Sequence, residues 1–450
     1  MSPEPLTRTL ADWVATTELA DIPRETQQQV RRIILDYTTA ALLGVDTHPA
    51  SVVRRYLART DHDRSATVFG SDIRLSPAGA AAANGTAAHA LDLDDGYTPG
   101  GFHPSASVVS ASLAVAEALD SEPGELLRAI ALGYEVACRM AGASHPSQRV
   151  RGFHNTALVG VFGSAAAVAA LHGLDGPTIA NAFGLAASHA GGLLAFLDQG
   201  SDVKRYHPAK AARDGLVSAE LAAEGLTAPT IVLEAPHGYF HAFTGGDFQP
   251  DLLVGELGST WRMARAYHKP YPCCRHVHGA IDAALELREQ HGIRPDAIDR
   301  VVVDTFAIAA SHDRKDIESL LDAQMSLPYC VAAALVHGEV GMSQFDDEAR
   351  RDPLLNQVMD RVEVRSDEAL TADYPRTRPA RVQIQVDGSE RIAEVAQPYG
   401  EPDNPMSDAD IEAKFRRLVT PQIGEERADR IVAAVWKLDD PAELFAALAG

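Results

Sequence analysis

Thr156-Ala-Leu-Val-Gly-Val-Phe-Gly-Ser-Ala-Ala-Ala-Val-Ala-Ala-Leu171 reads as a helix with no charged side chain. A helix without a polar face has nothing to offer water, so it belongs at the centre of a helical domain. Asn155 ahead of it is a good N-cap. Helical spacing continues outward on both sides. Residues 26–43 place Val30, Ile33, Ile34, Tyr37, Ala40 and Ala41 on one stripe and stop at Gly44. Stretches 78–91, 105–119, 125–141 and 209–223 are Ala-rich and joined by turns containing Gly or Pro. Alanine at this density lets helices approach closely and be buried on more than one side.

The pattern changes near residue 266. Residues 300–308, 361–365, 380–386 and 391–396 are β-branched and alternating. Asp387-Gly388 between the last two is a hairpin signal. Helical stretches 277–291, 322–337 and 346–359 alternate with these strands, and 407–418, 425–434 and 441–448 return to helix. The expected fold is mainly α. A large all-α domain takes both chain ends, 1–265 plus 404–450, and a smaller α+β domain, 266–403, is inserted into it.

At 450 residues the chain is too long for one ordinary core, which agrees with two domains. Lys and Arg number 40 against 62 Asp and Glu, and the net charge of −22 argues against nucleic acid and anionic membrane as partners. The cysteines, Cys138, Cys273, Cys274 and Cys330, form no CxxC pair and imply neither a disulfide framework nor a zinc site. No signal peptide and no membrane-spanning run is visible, so the expected location is cytoplasmic.

Against this acidic background, no Asp or Glu occurs between Glu135 and Asp175 or between Glu256 and Asp282. Histidines stand in basic or uncharged stretches at expected helix starts: Gly101-Phe-His103-Pro104, Arg151-Gly-Phe-His154-Asn155, Lys204-Arg-Tyr-His-Pro208 and Lys269-Pro-Tyr-Pro-Cys-Cys-Arg275-His-Val-His278. Pro208 is expected to open the helix after Lys204, as Pro104 opens another. Helix N-termini carry unsatisfied N–H groups and partial positive charge. A single histidine there reads as a capping or solvated residue. Together with Arg151, Lys204, Lys269 and Arg275, the four stretches read as one pocket for a small polycarboxylate. Proton removal next to a carboxylate needs a base near neutrality, and the helix dipole keeps an N-terminal His neutral. The enolate-like charge that follows needs Lys, Arg or N–H donors. Tyr329, in Ser326-Leu-Pro-Tyr329, is either a core residue or a donor to substrate.

Asp92-Leu-Asp94-Asp95 admits three readings. As a metal site it lacks the EF-hand spacing, and no His-plus-carboxylate cluster is evident beside it. It also spells the DxDD of protonating terpene cyclases, but those line their sites with aromatics and this chain is 6% aromatic. The favoured reading is one carboxylate acting as acid/base or orienting a histidine. No P-loop, no GxGxxG after a strand and no GxSxG elbow occurs.

The series Ala88-His-Ala-Leu-Asp92-Leu-Asp-Asp95, His103-Pro-Ser105, Gly152-Phe-His154, Lys204-Arg-Tyr-His207, Lys269-Pro-Tyr-Pro-Cys-Cys-Arg275 and Ser326-Leu-Pro-Tyr329 resembles the MmgE/PrpD family, and so does the opening Leu10-Ala-Asp-Trp13. That family includes 2-methylcitrate dehydratase, cis-aconitate decarboxylase and an iminodisuccinate epimerase. The resemblance implies a helical domain built from both ends, an inserted lid domain, a homodimer, no metal and no organic cofactor. It implies active-site roles for Asp92, His103, His154, Lys204, His278 and Tyr329. Two departures stand out. Gly96 replaces a usual Thr, with Tyr97 and Thr98 as candidate substitutes in a loop one residue longer. The Asn and Trp of 2-methylcitrate dehydratases are missing from the same loop. The expected activity is a cofactor-independent lyase, dehydratase or decarboxylase, acting on a di- or tricarboxylate. The alternatives are an epimerase and a non-catalytic carboxylate-binding protein.

Overall fold

The computed structural model describes residues 5–450. Helix accounts for 61% of it and the sheets are small, so the protein is mainly α. Two compact units divide the chain, Met1–Tyr267 with Ser407–Gly450, and His268–Met406.

Among the described residues, the first unit holds nine long helices before residue 267: α1 (Leu6–Thr16), α2 (Arg24–Gly44), α3 (His48–Thr60), α4 (Pro77–His89), α5 (Ser105–Leu119), α6 (Pro123–Ser144), α7 (Asn155–Leu171), α8 (Gly176–His189) and α9 (Val203–Ala223). The uncharged α7 lies against α5, α6, α8 and α9, and nearly all of it is buried. Small residues set the spacing. A Cβ on Gly133 of α6 would lie 2.6 Å from the Gly163 carbonyl oxygen of α7, and one on Gly163 would lie 2.7 Å from that of Gly133. Backbones this close exclude any side chain at the crossing.

One expectation is corrected here. Pro208 does not open α9, which starts at Val203 and carries the proline inside it. The ring removes one N–H from the ladder, a cost of about 3 kcal/mol. Packing of this 21-residue helix against α4, α5, α7 and α8 outweighs that loss. Lys204 and His207 therefore project from a formed helix, three residues apart and on one face.

The second unit is a four-stranded sheet with helices. It comprises α10 (His278–His291), β1 (Ile298–Thr305), α11 (Leu327–His337), α12 (Pro353–Asp360), β2 (Val362–Ser366), β3 (Ala380–Val386) and β4 (Ser389–Val395). Strand order is β2-β1-β3-β4, with β1 parallel to β2 and the other neighbours antiparallel. The β3–β4 turn places both Asp387 (φ 49°) and Gly388 (φ 70°) in the left-handed region that a tight hairpin requires. Helix α10 packs on β3 and β4. The single helix expected over 322–337 is split, because Ser326 caps a new start at Leu327 by accepting from the Tyr329 N–H, with Pro328 in the first turn. Likewise, the helix expected from 346 begins at Pro353, where the Asp352 side chain caps it.

The tail, α13 (Asp408–Ile423), α14 (Glu425–Lys437) and α15 (Pro441–Leu448), belongs to the first unit. Lys414 of α13 is its buried tie. Its ammonium meets Asp36 of α2 at 2.6 Å and donates to the Leu93 carbonyl at 3.3 Å. Helix α13 thereby grips the loop after α4. Among the described residues, no helix is long and apolar enough to cross a membrane.

Removing one partner of a buried ion pair leaves a charge in low dielectric. Lys414→Met is expected to lower the unfolding free energy by about 3–5 kcal/mol in urea titrations. A loss below about 1 kcal/mol, the scale of an exposed pair, would contradict this role for the tail.

Candidate active site

The loop between α4 and α5 carries the acidic stretch, and each carboxylate has a different partner. Asp92 takes a left-handed backbone (φ 56°), which Asp accepts more readily than most side chains. Its carboxylate is buried and pairs with Lys204 Nζ at 3.0 Å. Asp94 accepts from His89 Nδ1 at 2.8 Å and lies 3.6 Å from His103 Nδ1. Asp95 accepts the Tyr134 hydroxyl at 2.7 Å and the Ser105 N–H at 3.2 Å, which caps α5. Its backbone carbonyl accepts from His103 Nδ1 at 2.7 Å.

That last bond sets the chemistry of His103. With the proton on Nδ1, a neutral ring carries its basic lone pair on Nε2. The His103 backbone N–H donates to Thr156 Oγ1 at 3.1 Å, which ties the residue to α7. Its side chain retains 16% exposure while His89 and Asp94 have none, so His103 is the member of this trio that a ligand can reach.

His154 is the N-cap residue of α7 and is buried. Its Nδ1 lies 2.9 Å from His207 Nδ1, and the Phe196 ring stands edge-on to it at 5.2 Å. Ring centroids are 5.0 Å apart for His89 and His103, 6.4 Å for His89 and His154, and 5.1 Å for His154 and His207. Burial, and then the neighbouring His207, hold His154 well below the ordinary imidazole value. Burial, Lys210 and Lys204 bring His207 to about 4. Both rings are neutral at pH 7.

The first unit thus brings together Asp92, His103, His154 and Lys204. Arg151 stands exposed beside Gly245 and makes no hydrogen bond or ion pair with them. In the second unit, Lys269, Arg275 and His278 are buried. Arg275 Nη1 donates to His278 Nδ1 at 2.8 Å, which leaves the His278 proton on Nε2, 3.3 Å from the Cys273 carbonyl. Burial, Arg275 and Lys269 push the His278 value down. Arg275 Nε also meets Glu401 at 2.9 Å. Tyr329 is buried and donates its hydroxyl proton to the Gln344 carbonyl at 2.6 Å.

Three residues stood in stretches quoted from the sequence but received no individual role there. His89 sits in the last turn of α4, Asp94 in the loop and His207 inside α9. The expectation that no His-plus-carboxylate cluster adjoins the acidic stretch is corrected. His89, Asp94 and His103 each offer a ligand atom within 4.8 Å of the others, and among the described residues a divalent cation would fit best there. The three side chains already engage one another, which gives the trio a structural role without an ion. Gly96 also has a local reason. It pairs with Tyr267, and a Cβ at this position would overlap the Tyr267 hydroxyl.

The model for the MmgE/PrpD N-terminal domain matches residues 8–251, and that for the MmgE/PrpD C-terminal domain matches residues 271–440. A cis-aconitate decarboxylase-like protein of Aspergillus oryzae is 29% identical, over 99% of this chain and 97% of its own. The cis-aconitate decarboxylase of Homo sapiens is 28% identical, over 97% and 92%. That of Aspergillus terreus is 28% identical, over 96% and 93%.

The depressed histidines make stability depend on pH. An unfolded His takes up its proton near the ordinary 6.5, whereas folded His207 resists until about 4. Between these values the unfolded chain binds more protons, so stability is fully present above 6.5 and falls as the pH drops. Urea titrations from pH 7 to 4 are expected to fall more steeply for the wild type than for His207→Asn. Parallel curves would contradict the neutral pair.

Proposed function

This chain belongs to the MmgE/PrpD family, and on that premise we propose that it is a cofactor-independent lyase for a small di- or tricarboxylate. The observation that carries the reading is His103 in the first unit, held by the Asp95 carbonyl through Nδ1 so that Nε2 is the basic atom. Beside it are an ammonium, Lys204, and a second neutral imidazole, His154.

In this reading His103 Nε2 takes the proton α to a substrate carboxylate. The C–H electron pair moves into an enolate-like system, whose charge Lys204 and N–H donors stabilise. For a dehydratase, that pair then forms the C=C bond as the C–O bond breaks, and hydroxide leaves as water with a proton from an acid. For a decarboxylase, no α-proton is lost first: the bond to a carboxylate breaks, CO2 leaves, the electron pair it leaves enters the same enolate-like system, and one proton from an acid closes it onto carbon. Decarboxylation is the preferred arm because two of the relatives named above are called cis-aconitate decarboxylases and the third is called cis-aconitate decarboxylase-like. The burial of Asp92, His154 and Lys204 suits a reaction that excludes water from a carbanion-like intermediate. Assistance from Lys269, Arg275, His278 and Tyr329, a lid role for the second unit and a homodimer belong to the same proposal, on the family resemblance.

The test uses chelator-treated protein with cis-aconitate, 2-methylcitrate and iminodisuccinate in deuterated water, followed by NMR. Net loss of CO2 with deuterium entering the product, or net loss of water, supports the lyase. Exchange of the α-proton without net loss overturns it in favour of an epimerase, and binding without exchange overturns it in favour of a carboxylate-binding protein. His103→Gln is expected to lower kcat by about 10²–10⁴-fold. Asp92→Asn keeps a side chain that tolerates the left-handed backbone; by unpairing buried Lys204 it is expected to lose stability and, in the protein that remains folded, to lose activity. Full activity in both variants would remove the site assignment.

A further inference from the structure

His207 has no counterpart among the roles assigned above, yet its placement is specific. It follows Lys204 by three residues on one face of α9, and its ring is buried. Its Nδ1 faces His154 Nδ1 at 2.9 Å, with the two rings tilted by 44°. Among the described residues, neither ring's Nε2 has a hydrogen-bond partner.

Two facing Nδ1 atoms impose a strict rule on protons. A neutral imidazole carries one N–H, so a hydrogen bond here needs one ring protonated on Nδ1 and the other bare there. The ring that is bare at Nδ1 carries its proton on Nε2. Burial and the neighbouring His207 hold His154 down, and burial with Lys210 and Lys204 holds His207 down, so both rings are neutral, which excludes a cation that could donate from both nitrogens. The pair must therefore offer one Nε2–H donor and one Nε2 acceptor. Of the two rings, His154 is the one packed towards His89, with centroids 6.4 Å apart, and through it towards His103. An anion held beside His103 and Lys204 meets His154, and an anion needs an N–H.

We propose that His207 is a positioning residue whose Nδ1–H donates to His154 Nδ1 and locks His154 as the Nε2–H tautomer, a neutral donor for a substrate carboxylate. That the two rings are opposite tautomers stands on the facing Nδ1 atoms, while the direction, with His154 as the Nε2–H ring, rests on an anion beside His103 and Lys204 and so on the lyase reading. An uncharged donor holds a carboxylate without neutralising it as strongly as an imidazolium would. The charge on Lys204 then remains the principal counter-ion for the developing enolate.

The direct test is ¹⁵N NMR of histidine-labelled, ligand-free full-length protein, with His154→Gln and His207→Asn used to assign the two rings. The expected result is an unprotonated Nδ1 and protonated Nε2 for His154, and the reverse for His207. The opposite assignment, or a protonated Nδ1 on both rings, overturns the proposal whatever the enzyme's substrate. A second arm follows cis-aconitate turnover. His207→Asn places an amide N–H where Nδ1–H stood and is expected to keep KM near the wild-type value. His207→Phe keeps the bulk without the donor and is expected to raise KM roughly tenfold, the scale of one lost buried hydrogen bond, with kcat moving less. Equal KM values in two folded variants would overturn it. If cis-aconitate is not turned over while the tautomers are as expected, the lyase reading fails and the positioning role stands.

Discussion

Three carboxylates within four residues cannot be buried in a helical core unless each finds its own partner. The loop after α4 meets that constraint with three different chemistries. Asp92 takes the Lys204 ammonium, Asp94 takes the His89 imidazole, and Asp95 takes the Tyr134 hydroxyl and the Ser105 N–H. An uncompensated charge here would cost several kcal/mol. The loop conformation therefore depends on partners drawn from α4, α5, α6 and α9. Its backbone is held in turn from α13, through Lys414 and the Leu93 carbonyl. A chain whose ends are far apart in sequence is tied together at this one segment.

The consequence for chemistry is preorganisation. The Asp95 carbonyl selects the tautomer of His103, and the histidines deeper in the unit are neutral because they are buried beside other cations. Lys204 brings a permanent positive charge to this cluster, and Asp92 is opposite it. An arriving carboxylate would compete with Asp92 for that ammonium, which places ligand binding and the position of the strained loop in one equilibrium.

Much of the architecture was legible because local rules wrote it. Helices with capping residues and an unbroken apolar stripe appear close to the expected bounds, and Asp387-Gly388 forms the tight turn its residue types demand. The failures were tertiary. Pro208 lies within α9 because packing on four helices outweighs one missing hydrogen bond. The His89–Asp94 bond could not be read from a motif, since it joins a helix end to a loop across five residues. A histidine closing a helix just ahead of an acidic run was the available signal. His207 was read as a histidine ahead of a helix opened by Pro208, whereas it lies inside α9, three residues from Lys204 on one face. Tyr329, read as a core residue or a donor, proves to be buried with its proton given to a carbonyl of its own unit.

The claim at the centre is that the cluster around Lys204 in the first unit is an anion site for a small polycarboxylate. Calorimetric binding of tricarballylate, a saturated tricarboxylate that cannot complete the reaction, to wild type and Lys204→Met measures this most directly. The account predicts saturable one-site binding that weakens at least roughly tenfold in the variant, as expected for loss of a buried charge-assisted contact. Binding of equal strength in both proteins would contradict it.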